Sequence, residues 1–113
     1  MKKVIADMWI QALTSGEYKQ TESAIRINDN FCCLGVLCNI HAQNHPEIAK
    51  KQKFKFEYMG YNDFLPPAVV KWAGMKSNDG EYSVNQASLS EWNDHGYSFQ
   101  EIAQIIRENW QKL

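Results

Sequence analysis

All three cysteines of this chain, and two of its three histidines, fall between Phe31 and His45. These residue types hold metals or act as nucleophiles, so their spacing decides what chemistry is open to them. Cys38, His41 and His45 stand three and four residues apart, which sets them along one helix face. Cys32 or Cys33 could then complete a tetrahedral zinc set. Against this, the segment lacks the two-residue cysteine spacing of zinc modules. Cysteine is also among the most buried residue types, and Cys33 and Cys38 lie amid Leu34, Val36, Leu37 and Ile40, so the same residues read as the apolar face of a packing helix.

As a nucleophile, Cys32 is the best placed of the three, because a helix N-terminus stabilises a thiolate. Its base would be His95. Asp94 would not orient that ring, because side chains adjacent in sequence point apart. Asp29 with Asp63 or Asp94 could be imagined as paired acids, but turns are rich in Asp for structural reasons. We therefore assign no catalytic residue, no metal ligand and no cofactor, and expect a protein that is not an enzyme. A small cysteine-dependent enzyme stands as the alternative.

The elements that must position these residues are legible from periodicity. Val4, Ile5, Met8, Trp9, Ala12 and Leu13 predict a helix from about Lys2 to Ser15, stopped by Gly16. A polar loop, Glu17–Glu22, leads to a short strand over Ser23–Asn28 with Ile25 and Ile27 on one face, then a turn at Asn28–Asn30. A helix over Cys32–Gln43 follows, ended by Asn44 and Pro46. Gly35 inside it is expected to mark another backbone packing close. Phe54, Phe56 and Tyr58 alternate with Lys53, Lys55 and Glu57, the cleanest strand pattern in the chain. Leu65–Gly74 predicts a helix with proline in its first turn. Glu81–Val84 after Asn78-Asp-Gly80 reads as a hairpin strand. Ser88–Asp94 reads as a helix closed by Gly96. Ser98 and Glu101 form a capping box for a last helix carrying Phe99, Ile102, Ala103, Ile106, Trp110 and Leu113. The expected fold is α+β: one domain over residues 1–113, with a small antiparallel sheet packed against about four helices.

The totals narrow the function classes. A chain of 113 residues with 44% apolar and 22% charged residues can bury one core without staples. Twelve basic and 13 acidic residues give a net charge of −1, which argues against nonspecific duplex binding while leaving room for one small anion. No apolar run is long enough to span a membrane, and Asp7 and Gln11 break any signal-like stretch. Three cysteines, an odd count, fit free thiols in a reducing cytoplasm. Trp9, Trp72 and Trp110 fall on apolar helix faces. Tyr18, Tyr61, Tyr82 and Tyr97 instead sit in polar loops or at element ends, where rings beside amides and lysines suit stacking on a base or docking on a partner. The opposite reading, tyrosines folded down over the core edge, carries equal weight.

Three signatures together resemble a family of small proteins encoded by tailed bacteriophages and prophages. They are Trp9-Ile-Gln-Ala-Leu-Thr-Ser-Gly-Glu-Tyr-Lys-Gln20, Phe31-Cys-Cys-Leu-Gly-Val-Leu-Cys38, and Leu65-Pro-Pro-Ala-Val-Val-Lys-Trp72 with Asn93-Asp-His-Gly-Tyr-Ser-Phe-Gln-Glu-Ile-Ala103. The resemblance runs through most of the chain, apart from about Asn44 to Asp63. It carries no catalytic residue with it. It implies an accessory protein acting in the host-cell cytoplasm. By analogy with such proteins we expect a non-enzymatic counter-defence binder that sequesters a small nucleotide-derived signal, with Tyr18, Lys19, Gln20, Tyr61, Asn62 and Tyr97 contributing to the site. The alternative partner is a host defence protein, inhibited through a flat surface. A homo-oligomer is compatible with either.

Overall fold

The computed structural model describes residues 1–51 and 54–113. Its centre is the cysteine-bearing helix. This helix, α2 (Cys33–Asn44), is preceded by α1 (Lys3–Thr14) and three two-residue strands, β1 (Lys19–Gln20), β2 (Arg26–Ile27) and β3 (Asn30–Phe31). After it come α3 (Pro46–Lys51), α4 (Pro67–Ala73), α5 (Leu89–Asp94) and α6 (Phe99–Asn109), closed by a 3-10 turn over Trp110–Lys112. Cys33, Leu34, Gly35, Val36, Leu37, Cys38, Ile40, His41 and Ala42 are all buried, so α2 is covered on nearly every side rather than on one stripe. The first and last long helices, α1 and α6, pack on each other, and α1 also lies against α2. The α+β expectation holds.

Gly35 is what lets α2 sit there. A Cβ on Gly35 would fall 1.6 Å from the carbonyl oxygen of Ile25, so the strand backbone occupies the space a side chain would fill. That oxygen also accepts the Cys32 N–H at 3.2 Å, at the positive end of α2. A second tie is Asn93, a fully buried amide. Its Oδ1 accepts from the Cys33 N–H at 3.0 Å and from Gln20 Nε2 at 2.9 Å, and its Nδ2 donates to the Thr21 carbonyl at 2.8 Å. One side chain on α5 therefore ties the start of α2 to the end of β1.

Local signals explain the helix ends. Ser88 and Ser98 each cap their helix in a complete capping box, with Glu91 and Glu101 returning the bond. Gly74 closes α4 in the left-handed conformation at φ 69°, and Pro67 opens it. Pro46, expected only to stop α2, instead begins α3, its missing N–H costing nothing in a first turn.

The strands are where expectation and structure part. The sheet is mixed: β3 lies between β1, to which it is parallel, and β2, to which it is antiparallel. A strand forms at Lys19–Gln20, inside the expected loop. Ile25 is fully buried, whereas Ile27 is exposed at the end of the short ladder. The alternating run to Tyr58 is not a strand over its described residues. Gln52 and Lys53 lie outside them. Phe54 packs edge-on against Phe31, with the Arg26 guanidinium 4.5 and 5.0 Å from the Phe31 and Phe54 ring centres. Phe56 faces solvent, and Tyr58 turns back to pair with Tyr61. Ring contacts place this segment where a ladder was expected. Glu81–Val84 likewise forms no strand, and Val84 is almost wholly exposed. On α1, Val4 points outward and Ala6 takes its expected place in the core.

Substituting Gly35 by alanine should destabilise the protein by about 3 kcal/mol, the upper range of overpacking penalties, although the same change in an open helix would gain about 1 kcal/mol. Urea denaturation followed by circular dichroism checks this. An unchanged or raised midpoint would contradict the contact with Ile25.

Candidate functional site

The cysteine–histidine segment is built as core. Burial pushes the Cys32 thiol up to about 11 and the Cys33 and Cys38 thiols well above their ordinary range. The N-terminus of α2 favours a thiolate at Cys32, and local backbone N–H groups do too, but desolvation outweighs them. All three thiols are free, and Cys33 Sγ donates to the Leu89 carbonyl at 3.6 Å. The base proposed for Cys32 is engaged elsewhere. His95 lies edge-on to Trp92, Asp94 accepts the Ser23 N–H, and no hydrogen bond among the described residues joins His95 to Cys32.

His41 and His45 do share a helix face, as their spacing requires, but they face each other. Their rings stack with centres 4.0 Å apart, and Trp72 meets both edge-on. The His41 carbonyl can only accept, so His45 Nδ1 carries a proton and donates to it at 2.8 Å. Burial lowers the His41 pKa to about 4, with the neighbouring His45 adding in the same direction. Burial also raises the Tyr58 hydroxyl to about 12, so Tyr58 keeps its proton and donates to His41 Nδ1 at 2.6 Å. A neutral buried imidazole bonded in this way is a core partner. Among the described residues no group of three or more His, Cys, Asp or Glu side chains is placed to hold a metal ion.

The six loop residues do not line one cavity. Tyr18 turns inward, its hydroxyl accepting from Asn39 and its ring edge-on to Phe31. It borders a cleft of about 270 Å³ between α1 and α2, beside Met8, Gln11, Ile40 and Gln43. Lys19 is exposed on β1. Gln20 and Tyr97 do meet, because Gln20 Nε2 donates to the Tyr97 carbonyl at 2.7 Å, but the same amide is also bonded to Asn93. The Tyr97 ring lies 4.4 Å from that of Trp92. Asn62 holds β2 through its own carbonyl, which accepts the Ile25 N–H at 2.9 Å. Tyr18, Tyr82 and Tyr97 thus pack over the edge of the core, and Tyr61 alone of the loop tyrosines is exposed.

Tyr61 stands at the mouth of a cleft of about 450 Å³, formed with Pro67, Val70 and Lys71 of α4 and with Lys76, Ser77 and Asn78. The Tyr58–Tyr61 pair fixes one wall through backbone bonds of 2.8 and 3.0 Å. The other wall is fixed by the Leu65 N–H on the Asn78 carbonyl and the Lys76 N–H on the Leu113 carbonyl. The lining holds two lysines and no carboxylate, on a chain whose net charge is −1. An exposed ring, apolar side chains and two cations are the groups that a flat ring bearing negative charge would need. Sequence reasoning singled out Tyr61, read Asn78 only as a turn residue, and passed over Lys71 and Lys76. Lys71 reads as an ordinary solvent-facing helix residue, and only the return of the chain after Gly74 brings Lys76 opposite the loop.

A family model described as a domain of unknown function (DUF8296) matches residues 1–110 of the chain. No curated protein and no solved structure matches it.

Two outcomes follow from the burial of these groups. The native thiols should resist an aromatic disulfide reagent for many minutes near pH 7, where a thiol with a pKa of about 11 is only about one part in ten thousand thiolate, and all three should react at once in denaturant. Rapid labelling of native Cys32 would contradict its burial. The unfolded chain takes up the His41 proton near 6.5, whereas the native state takes it up only near 4. Its contribution to stability is therefore complete above about pH 6.5 and is lost as pH falls towards 4, by at most about 3 kcal/mol. Urea midpoints across that window should show the decline, and His41→Gln should flatten it.

Proposed function

We propose that this chain, which belongs to the DUF8296 family of domains of unknown function, is a non-enzymatic binding protein that sequesters a small nucleotide-derived signal. The observation that carries this reading is the cleft under Tyr61, where an exposed ring stands beside Lys71 and Lys76 with no acidic side chain in the lining. A base stacks on the ring and a phosphate sits between the ammonium groups. The amide of Asn78 and the hydroxyl of Ser77 supply the neutral bonds that fix orientation. The three thiols lie in the core, away from this cleft. The resemblance of the Trp9–Gln20, Phe31–Cys38 and Leu65–Trp72 segments to phage and prophage accessory proteins supports placing this binding in the host cytoplasm, as a counter-defence activity.

A second reading has an observation of its own. Phe56, Tyr61 and Phe64 are exposed on one loop, and the Asn28 N–H on the Lys55 carbonyl brings exposed Ile27 to the same loop. Apolar side chains gathered at a surface suit docking on a host defence protein.

The two readings separate in one experiment. Protein purified from a lysate is heat-denatured, and the released small molecules are identified by mass spectrometry. Sequestration predicts a stoichiometric nucleotide that rebinds to the refolded protein. Tyr61→Ala should weaken rebinding at least about fivefold, the lower end of a base-stacking contribution of about 1–3 kcal/mol. Lys76→Ala should weaken it similarly, while Tyr18→Ala, in a different cleft, should leave it unchanged. No released or bindable nucleotide, with a single co-purifying host protein instead, would favour the docking reading.

A further inference from the structure

A second cleft, of about 340 Å³, adjoins the first. It shares Lys76 and Ser77 with it and extends past Glu81, Tyr82 and Val84 to Lys112. The two clefts are not chemically alike. The first has cations and no carboxylate. The second carries Glu81 beside Lys76 and Lys112, and the Glu81 backbone N–H donates to Ser77 Oγ at 2.9 Å, so the residue at the junction also holds the backbone that bears the carboxylate. The second cleft has a ring of its own in Tyr82, held in place because Trp92 Nε1 donates to its hydroxyl at 2.9 Å. Each cleft alone is at or near the small end of ligand sites, which span about 300–1,000 Å³, whereas the joined pair lies well inside that range.

Resting on the nucleotide reading of the first cleft, we infer that the ligand is a dinucleotide, and that the base in the second cleft is guanine. Lys76, the cation common to two ring-bearing clefts, matches a phosphodiester joining two nucleosides, with Lys71 and Lys112 to either side. Lys76 meets the linking phosphate, Tyr61 the first base and Tyr82 the second. The Glu81 carboxylate suits a base edge with two parallel N–H donors, and the Watson–Crick edge of guanine presents such a pair, N1–H and N2–H. Joining two modest sites through one linkage multiplies their affinities, which is how a shallow groove can hold a signal at low concentration.

The test is calorimetric titration of the full chain with GMP and with the linear dinucleotide pGpG. The expected result is that pGpG binds at least about tenfold tighter than GMP. Glu81→Gln, an exposed substitution that leaves the backbone bond to Ser77 in place, should bring the pGpG-to-GMP ratio close to one. Tyr61→Ala should weaken both ligands. Should GMP bind in a Tyr61-dependent way while pGpG binds no tighter, or should the ratio survive Glu81→Gln, the dinucleotide inference is overturned and the nucleotide reading stands. Binding of neither ligand, or binding of both unaffected by Tyr61→Ala, overturns both.

Discussion

The carbonyl oxygen of Ile25 lies where the side chain of residue 35 would be, and the rest of the molecule is arranged around that contact. Because Gly35 has no Cβ, the strand segment can close over the first turns of α2. Because it closes there, Cys33, Val36, Leu37 and Cys38 lose their access to water. Asn93 makes the arrangement specific. A fully buried amide must find partners for its polar atoms, and its partners lie on segments far from it in sequence, so only one docking of α5 satisfies it. The sulfur and imidazole groups nearby acquire their character from this burial rather than from their intrinsic chemistry. Thiols that a surface helix would leave reactive are held protonated, and His41 is held neutral against Tyr58.

The rim has a charge pattern of its own. A chain with nearly balanced charge still presents a cleft lined by two lysines and no acidic side chain, because α4 and the segment after Gly74 bring Lys71 and Lys76 to one place while Glu81 lines the adjoining cleft. The walls of that cleft are held by backbone hydrogen bonds, which place the backbone that carries Tyr61. The apolar rings exposed on the loop of residues 55–64 adjoin the same region, so ligand and protein partners would compete for neighbouring surface.

Much of the fold was legible in the sequence wherever the signal was local. Ser88 with Glu91 and Ser98 with Glu101 name their own helix starts, because a capping box needs only four consecutive residues. The close approach at Gly35 was legible too, since a glycine in the middle of an apolar helix has few other reasons to be there. The segment ending at Tyr58 was misread because alternation is a statement about a strand that has neighbours. Here Arg26 and Phe31 offer Phe54 a packed aromatic site instead of a ladder, and Phe56 is left outside. The candidate site was legible as residue types and not as a place. Tyr18, Gln20, Tyr61 and Tyr97 have the right chemistry, but which of them share a cleft depends on contacts between segments that no short pattern records. The lysines opposite Tyr61 come together only through the turn at Gly74 and the bond from Lys76 to the Leu113 carbonyl.

The packing of α1 on α6 bears on how the protein is made. A ribosome delivers α1 long before α6, since the chain between Thr14 and Phe99 takes roughly 4–17 s to synthesise at ordinary rates. During that interval the apolar face of α1 has no complete partner, and the Asn93 amide that fixes the start of α2 emerges only with α5. The fold therefore cannot close stepwise behind the moving chain. It closes only after α6 has been made, and a nascent chain stalled before α6 stays open to chaperones and proteases.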